Sequence, residues 1–131
     1  MTPALPASEG FSYREHRLHC EEVALDALAQ RYGTPLYVYS RSAIEGAYAA
    51  YASALKGRSA LVCYAVKANS NLAVLDVLAR RGAGFDIVSG GELARVLAAG
   101  GDASRVVFSG VGKTEVEIEA AMKAGVACFN V

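Results

Sequence analysis

A repeated strand and helix pattern is the feature of this sequence that most constrains its fold. Four short apolar runs without polar alternation predict buried parallel strands, at 61–66, 85–88, 106–108 and 127–131. Three helical patterns lie between them, at 72–81, 92–99 and 115–124. Because successive runs are 21 to 23 residues apart, each interval has room for one strand and one helix. The repeat therefore predicts an α/β fold.

Two architectures are built from this repeat, an open doubly wound sheet and a closed eight-stranded (β/α) barrel. The periodicity favours neither. The last run, 127–131, ends the chain inside an apolar strand with no helix after it, and we expect a truncated polypeptide for that reason.

The N-terminal third has a different pattern. Residues 1–12 contain two prolines and no basic residue, and they are predicted to form a flexible leader rather than a signal peptide. The segment 13–40 predicts a helix over 22–31, ended by Gly33, and a strand over 36–39. Ser42 and Glu45 have the spacing of a capping box, which predicts a helix running to about residue 55.

Composition and charge exclude several classes of function. The 131 residues are 53% hydrophobic and carry 13 basic and 13 acidic side chains, so nothing electrostatic favours nucleic acid or an anionic membrane as a partner. No apolar run reaches the length of a membrane span. The spacing of Cys20, Cys63 and Cys128 is not that of a metal site, and their odd number favours a reduced, cytoplasmic protein.

Two nucleotide-binding motifs are incomplete. The run 112–114, Gly-Lys-Thr, follows a strand as in a P-loop, but Val107 stands where the motif needs its first glycine. The dinucleotide fingerprint fails because Ile87 replaces its third glycine. Lys113 is therefore expected to be a solvated lysine at the start of a helix capped by Thr114 and Glu117.

Lys67 is the most unusual candidate for chemistry, because it closes the apolar run 61–66. A lysine at the carboxyl end of a buried parallel strand lies where both architectures have their active sites. Desolvation at such a position favours the neutral amine, which can attack a carbonyl carbon. The alternative is a structural one, in which the side chain extends from the strand end into water.

Asp86 and Glu92 form a second candidate cluster. Asp86 is predicted inside the second apolar run, where an unpaired acid is costly, and Lys67 on the neighbouring strand is a candidate partner. Glu92 falls in the first turn of the following helix, where it either complements the helix dipole or takes part in the chemistry.

Five motifs then occur in a fixed order along the chain: Thr34-Pro-Leu-Tyr-Val-Tyr39, Tyr64-Ala-Val-Lys-Ala-Asn69, Gly84-Phe-Asp-Ile-Val-Ser-Gly-Gly-Glu-Leu93, Phe108-Ser-Gly110 and Lys113-Thr-Glu115. Together they resemble the N-terminal part of the barrel-type pyridoxal-phosphate decarboxylases, which act on diaminopimelate, ornithine or arginine. The resemblance covers about 13–131, and several motifs in order are far more specific than one.

This resemblance implies a fold, a cofactor and residue roles. Residues 41–131 are expected to form the first half of an alanine-racemase-like (β/α) barrel, truncated at its fourth strand. The family's motif lysine binds pyridoxal 5′-phosphate covalently, which implies that role for Lys67. The family's neighbouring aspartate and glutamate correspond to Asp86 and Glu92, which implies catalytic roles for both. A full-length member is expected to be a homodimer that acts on a small amino acid.

Local differences favour the diaminopimelate branch of this family. Ala68 and the run 87–89 differ from the residues typical of ornithine decarboxylases, and the segment after Lys67 lacks the Tyr-Gly-His-Gly run of alanine racemase. The expected reaction of the full-length protein is decarboxylation of meso-2,6-diaminopimelate to L-lysine, in lysine biosynthesis. Decarboxylation of ornithine or arginine, or a non-catalytic half-barrel that only self-associates, are the alternatives. The family's phosphate loop, stacking histidine and ring-nitrogen acid have no assigned counterpart here, so the chain alone is expected to be inactive.

Overall fold

A computed structural model describes residues 9–131, which fall into two compact units, one ending at Gly46 and the other comprising Ala47–Val131. Residues 1–8 of the predicted leader lie outside the described residues. The leader prediction is wrong at its end, because Phe11 and Ser12 pair with a second strand.

The N-terminal unit contains a small antiparallel sheet of three strands, β1 (Phe11–Arg14), β2 (Arg17–Cys20) and β3 (Val23–Ala24), in that order. Two exposed ion pairs join its strands to the residues that follow them. Arg14 Nη1 lies 2.5 Å from Glu22 Oε2, and Arg17 Nη2 lies 2.7 Å from Asp26 Oδ1. The sequence analysis did not predict this sheet, because its strands are only two to four residues long.

Helix α1 (Leu25–Tyr32) ends at Gly33 as predicted, but it begins three residues late because Val23–Ala24 pairs with β2. The strand predicted over 36–39 is wrong: the segment pairs with no described strand, and Tyr37 is 86% exposed. Helix α2 spans Arg41–Ala54. The predicted cap at Ser42 is also wrong, because the Ala43 N–H donates to Ser40 Oγ at 3.0 Å and Ser40 therefore caps the helix.

The second unit holds a parallel sheet of four strands in the order β4 (Cys63–Ala65), β5 (Gly84–Ile87), β6 (Val106–Phe108) and β7 (Cys128–Phe129). Each strand lies within or beside a predicted apolar run. The register pairs Ala65 with Asp86, Asp86 with Val107, and Val107 with Cys128. These four residues therefore lie on one face of the sheet, which we call the open face.

Three helices connect these strands: α3 (Leu72–Arg80), α4 (Gly90–Ala98) and α5 (Glu115–Ala124). The capping box of Thr114 and Glu117 is present, and Gly125 ends α5 in the left-handed conformation with φ 84°. Helix α4 begins two residues earlier than predicted, because the Ser89 side chain accepts the Glu92 N–H and caps it.

The apolar core lies between the sheet and these helices. Phe85, Ile87, Val106 and Phe108 have no exposed surface, and they define the helix-covered face of the sheet. The alternate residues Asp86 and Val107 are only half-buried, and Cys128 is exposed. The prediction of strands buried on both faces therefore holds for one face only within the described chain.

Candidate active site

Polar side chains gather where the parallel strands end. Lys67 follows β4, Asp86 lies near the end of β5, Ser109 follows β6 and Asn130 follows β7. Because parallel strands end at the same edge of a sheet, these residues share the edge at which α/β folds bind their ligands.

Lys67 lies in a 3₁₀ turn, Val66–Ala68, which follows β4 directly and contacts β5. Val66 is fully buried, whereas Lys67 is exposed. The predicted position at the strand end is confirmed, but the expected desolvation is not found within the described chain. The Lys67 amine forms no hydrogen bond or ion pair with any residue of 9–131, so it is available to a ligand.

The polar residues around Lys67 fix the loop that carries it. Tyr64 Oη donates to the Asn69 carbonyl oxygen at 3.2 Å, and Asn69 Oδ1 accepts the Asn71 N–H at 3.0 Å. Asn71 then caps α3 by accepting the Ala73 N–H at 2.9 Å. The tyrosine and asparagine of this motif therefore hold the chain's path from strand to helix around the lysine.

Asp86 is bound by a neighbour that the sequence did not indicate. Ser109 Oγ donates to Asp86 Oδ1 at 2.5 Å, and Asn130 Nδ2 donates to Ser109 Oγ at 3.0 Å. Lys67, in the turn after β4, and Asp86, on the adjacent strand β5, lie at the same edge but form no ion pair in the described chain. The predicted partner of Asp86 is therefore wrong, and a serine hydroxyl satisfies the half-buried acid instead.

Glu92 lies in the first turn of α4, as predicted, and is bound locally. Its Oε2 accepts the Val88 N–H at 2.8 Å, and its own N–H donates to Ser89 Oγ at 3.2 Å. These two hydrogen bonds satisfy backbone N–H groups just after β5 and at the start of α4. Within the described chain, the geometry thus commits the Glu92 carboxylate to the strand–helix junction rather than to Lys67 or Asp86.

Glu117 joins the starts of two helices. Its Oε2 accepts hydrogen bonds from Thr114 within the capping box of α5, and its Oε1 accepts the Gly90 N–H of α4 at 2.8 Å. The bond from Gly90, followed by those from Thr114, lowers the pKa of the Glu117 carboxyl below its ordinary value. The capping box was evident in the sequence, whereas the contact with Gly90, 27 residues away, was not.

Lys113 is not the solvated lysine that the sequence predicts. Its Nζ donates to the Gly110 carbonyl and, at 2.7 Å, to the Asn130 carbonyl, and it lies 5.6 Å from the centre of the Phe108 ring. The lysine therefore ties the loop after β6 to the end of β7. The prediction failed because one of its acceptors lies 17 residues further along the chain.

The three cysteines are free thiols in different surroundings. All three are free, and burial, followed by the negative charge of Asp86, raises the pKa of the Cys63 thiol, so it stays protonated at neutral pH. No three His, Cys, Asp or Glu side chains of residues 9–131 are grouped as metal ligands. Each helix in that range is too short or too polar to cross a bilayer.

Comparison with protein families gives a match over the part of the chain that contains this edge. Residues 41–131 match the family described as "Pyridoxal-dependent decarboxylase, pyridoxal binding domain". The chain belongs to this family. Its match begins at the first residue of α2 and includes Lys67, Asp86 and Glu92. Membership confirms the predicted family and its cofactor class.

Within this family, the chain is similar to several diaminopimelate decarboxylases. The chain is 66% identical over 121 residues to diaminopimelate decarboxylase of Pseudomonas aeruginosa, a match covering 92% of this chain and 29% of that enzyme. Its identity to diaminopimelate decarboxylase of Vibrio cholerae is 59% over 122 residues, with 92% and 29% coverage. A crystal structure of diaminopimelate decarboxylase from M. jannaschii in complex with L-lysine superposes with a TM-score of 0.88 at 36% identity, over 94% of this chain and 30% of that one.

These comparisons decide between the two architectures that the repeat left open. The fold is the N-terminal part of the alanine-racemase-like barrel of the pyridoxal-phosphate decarboxylases, as the resemblance implied. The chain spans about three tenths of the length of the relatives it matches.

The residues at the carboxyl edge fit pyridoxal phosphate. Lys67 supplies a primary amine without a described partner, which is the group that bonds to an aldehyde carbon. Asp86 supplies a carboxylate on the adjacent strand, and its Oδ1 is held by Ser109. Among residues 9–131 we assign no group to the cofactor's phosphate or ring nitrogen.

Proposed function

We propose that this chain is the cofactor-attaching N-terminal part of a decarboxylase that converts meso-2,6-diaminopimelate to L-lysine. The observation that carries the proposal is Lys67, whose amine lies at the carboxyl edge of a parallel sheet without a partner among residues 9–131. The chain is 66% identical to the diaminopimelate decarboxylase of Pseudomonas aeruginosa. A solved relative binds L-lysine, the product expected of this reaction.

Each candidate residue has a distinct role in this proposal. Lys67 holds the cofactor through Nζ, and the bound cofactor supplies an electron-accepting ring for the carbon that loses carbon dioxide. Asp86 places a carboxylate on the strand beside that amine, and Ser109 holds one of its oxygens. Glu92 acts by holding the junction between β5 and α4, through the Val88 N–H.

The same proposal extends to assembly and location. The full-length protein is a homodimer, as the family resemblance implies, and it acts on a small amino acid. Cys20, Cys63 and Cys128 are free thiols, which supports a cytoplasmic location because disulfides rarely persist there.

The substrate assignment is tested by a chimera. The 131 residues replace the matching segment of the Pseudomonas aeruginosa enzyme, and carbon dioxide release is measured with meso-diaminopimelate, L-ornithine and L-arginine. We expect the highest kcat/KM for meso-diaminopimelate. A preference for ornithine or arginine would overturn the substrate while leaving the family intact.

Two lysine variants of the chimera test the attachment role. Lys67→Ala should lower kcat/KM by at least about a thousandfold, because the covalent anchor is lost. Lys56→Ala is the matched control, since Lys56 is also exposed but lies before β4, and it should leave activity unchanged. Full activity of Lys67→Ala would refute the proposal.

A further inference from the structure

The hydrogen bonds of Asp86 extend across three strands of the open face. Asp86 pairs with Val107, which pairs with Cys128. Ser109 lies two residues after Val107, and Asn130 lies two residues after Cys128. The ladder continues to both, because the Ser109 N–H donates to the Ile87 carbonyl at 2.7 Å and the Asn130 N–H donates to the Phe108 carbonyl at 3.0 Å. Strand alternation therefore puts all three side chains on the same face.

These hydrogen bonds all run the same way, from Asn130 as donor to Asp86 as acceptor. Asn130 Oδ1 faces Cys128 Sγ at 4.0 Å, which leaves the amide nitrogen, a donor only, toward Ser109. Ser109 Oγ accepts this bond and gives its single hydrogen to Asp86 Oδ1. Asp86 Oδ2 receives no hydrogen bond from residues 9–131, so one carboxylate oxygen is held and the other is available.

The hydrogen bonds from Asn130 to Ser109 and from Ser109 to Asp86 form what we call the relay. Lys113 fixes the backbone around it. Its Nζ bonds to the carbonyls of Gly110, next to Ser109, and of Asn130 itself. Gly110 has φ +89°, and a Cβ there would lie 3.3 Å from the Val88 carbonyl oxygen, so the turn after Ser109 requires glycine. The backbone next to Ser109 and the backbone at Asn130 are thereby held in one arrangement.

We propose that Ser109, supported by Asn130, is a positioning residue that holds Asp86 in one orientation, with Oδ2 turned to the ligand at Lys67. This inference rests on the proposed function and deepens it. The relay lies on the open face, whereas the fully buried side chains of the sheet lie on the other face. Its removal should therefore change the site more than the stability of the fold.

The chain offers a matched control. Ser104 Oγ also donates to an aspartate, Asp102 Oδ1, at 2.7 Å, but this pair lies before β6, at the opposite edge of the sheet from Lys67. Ser104→Ala removes the same kind of hydrogen bond without touching the relay. Ser109→Thr keeps the hydroxyl and should retain the wild-type behaviour, whereas Asn130→Asp gives Ser109 a second acceptor to which its one hydrogen can turn.

The experiment follows two properties of the 131-residue chain and these variants. The first is the number of χ1 rotamers of Asp86, from three-bond NMR couplings; the second is the rate at which pyridoxal phosphate attaches to Lys67, trapped with borohydride. We expect Ser109→Ala to average the Asp86 rotamers and slow attachment about tenfold, with a smaller loss for Asn130→Asp. Ser109→Thr and Ser104→Ala should keep one rotamer and the wild-type rate.

Opposite results separate this inference from the proposed function. A single Asp86 rotamer in Ser109→Ala, or an equal loss of rate in Ser104→Ala, would overturn the positioning role. Absence of any attachment at Lys67 in the unmodified chain would instead refute the proposed function, and the rotamer comparison would still decide whether Ser109 orients Asp86.

Discussion

The two faces of the parallel sheet differ although they are built from alternate residues of the same strands. Along β5, Phe85 and Ile87 are fully buried against the helices, while Asp86 between them is half-buried on the open face. The helix-covered face contains apolar side chains, and the open face carries the relay beside Lys67. Neighbouring residues therefore have different surroundings: one face packs in the core, and the other carries the residues of the proposed site.

The helix-covered face explains why the open face can be polar. Burial of a large apolar side chain contributes about 1.5–3 kcal/mol, and four such side chains of β5 and β6 are fully buried. The acid on the open face is satisfied by a hydroxyl rather than by packing. Substitutions on the two faces should consequently affect different measurements.

The largest expected effect is the complete absence of decarboxylation by the 131-residue chain alone. No residue of 9–131 is assigned to the cofactor's phosphate or ring nitrogen, so the cofactor should bind weakly and accept electrons poorly. Within residues 9–131, strands β4 and β7 each pair on one side only, which favours association through their edges. Carbon dioxide release with added pyridoxal phosphate and sizing by chromatography check both expectations. A monomer with good turnover would contradict them.

A pair of adjacent residues tests the two faces directly. Phe85→Ala should lower the free energy of unfolding by about 3–5 kcal/mol, because it leaves a cavity in the core. Asp86→Asn should change it by less than about 1 kcal/mol, since the amide oxygen still accepts from Ser109. Urea unfolding of the two variants gives the comparison. Equal losses would mean that the open face is as much a part of the core as the other.

Activity should depend more on Asp86 than on Glu92. In the chimera, Asp86→Asn should lower kcat/KM about a hundredfold, because the charge beside Lys67 is lost. Glu92→Gln should cost less than about tenfold, since a glutamine oxygen can still accept the Val88 N–H. Undiminished activity of Asp86→Asn would return Asp86 to a structural role.

The smallest expected effect is a pH-dependent one at the helix starts. The pKa of Glu117 is lowered from its ordinary 4.5, so its contribution to stability is fully present above pH 4.5 and is lost as the pH falls through the lowered value. Glu117→Gln should therefore lower the thermal midpoint at neutral pH, and the difference from wild type should shrink in acid. Glu119→Gln is the control, because Glu119 forms only an exposed ion pair with Lys123. A difference that persists unchanged in acid would exclude the carboxylate as its cause.

The parts of the fold that the sequence predicted well depend on local signals. Helix α5 has both of its predicted bounds, because its capping box and Gly125 lie beside it in the sequence. The strand predicted over 36–39 failed because strand-forming residues do not form a strand without a partner, and pairing is not local. The antiparallel sheet at 11–24 was missed because its strands are of only two to four residues, which is too short for a period of two to be recognised.

The candidate site divides in the same way. The placement of Lys67 and Asp86 at the carboxyl edge was predictable because each is a charged residue within or directly after an apolar run. Ser109 and Asn130 were missed, because a serine and an asparagine after short strands are common and only the topology brings them to Asp86. The partners of Lys113 were missed for the same reason.

The most direct test of the account is to identify which lysine bonds to pyridoxal phosphate. The chain is treated with a substoichiometric amount of the cofactor, reduced with borohydride, digested and mapped. Lys113 is the closest competitor, since it follows β6 at the same edge, but two carbonyl oxygens already bind its amine. We predict modification at Lys67 and not at Lys56, Lys113 or Lys123. A modified lysine elsewhere, with Lys67 untouched, would contradict the assignment of this edge as the cofactor site.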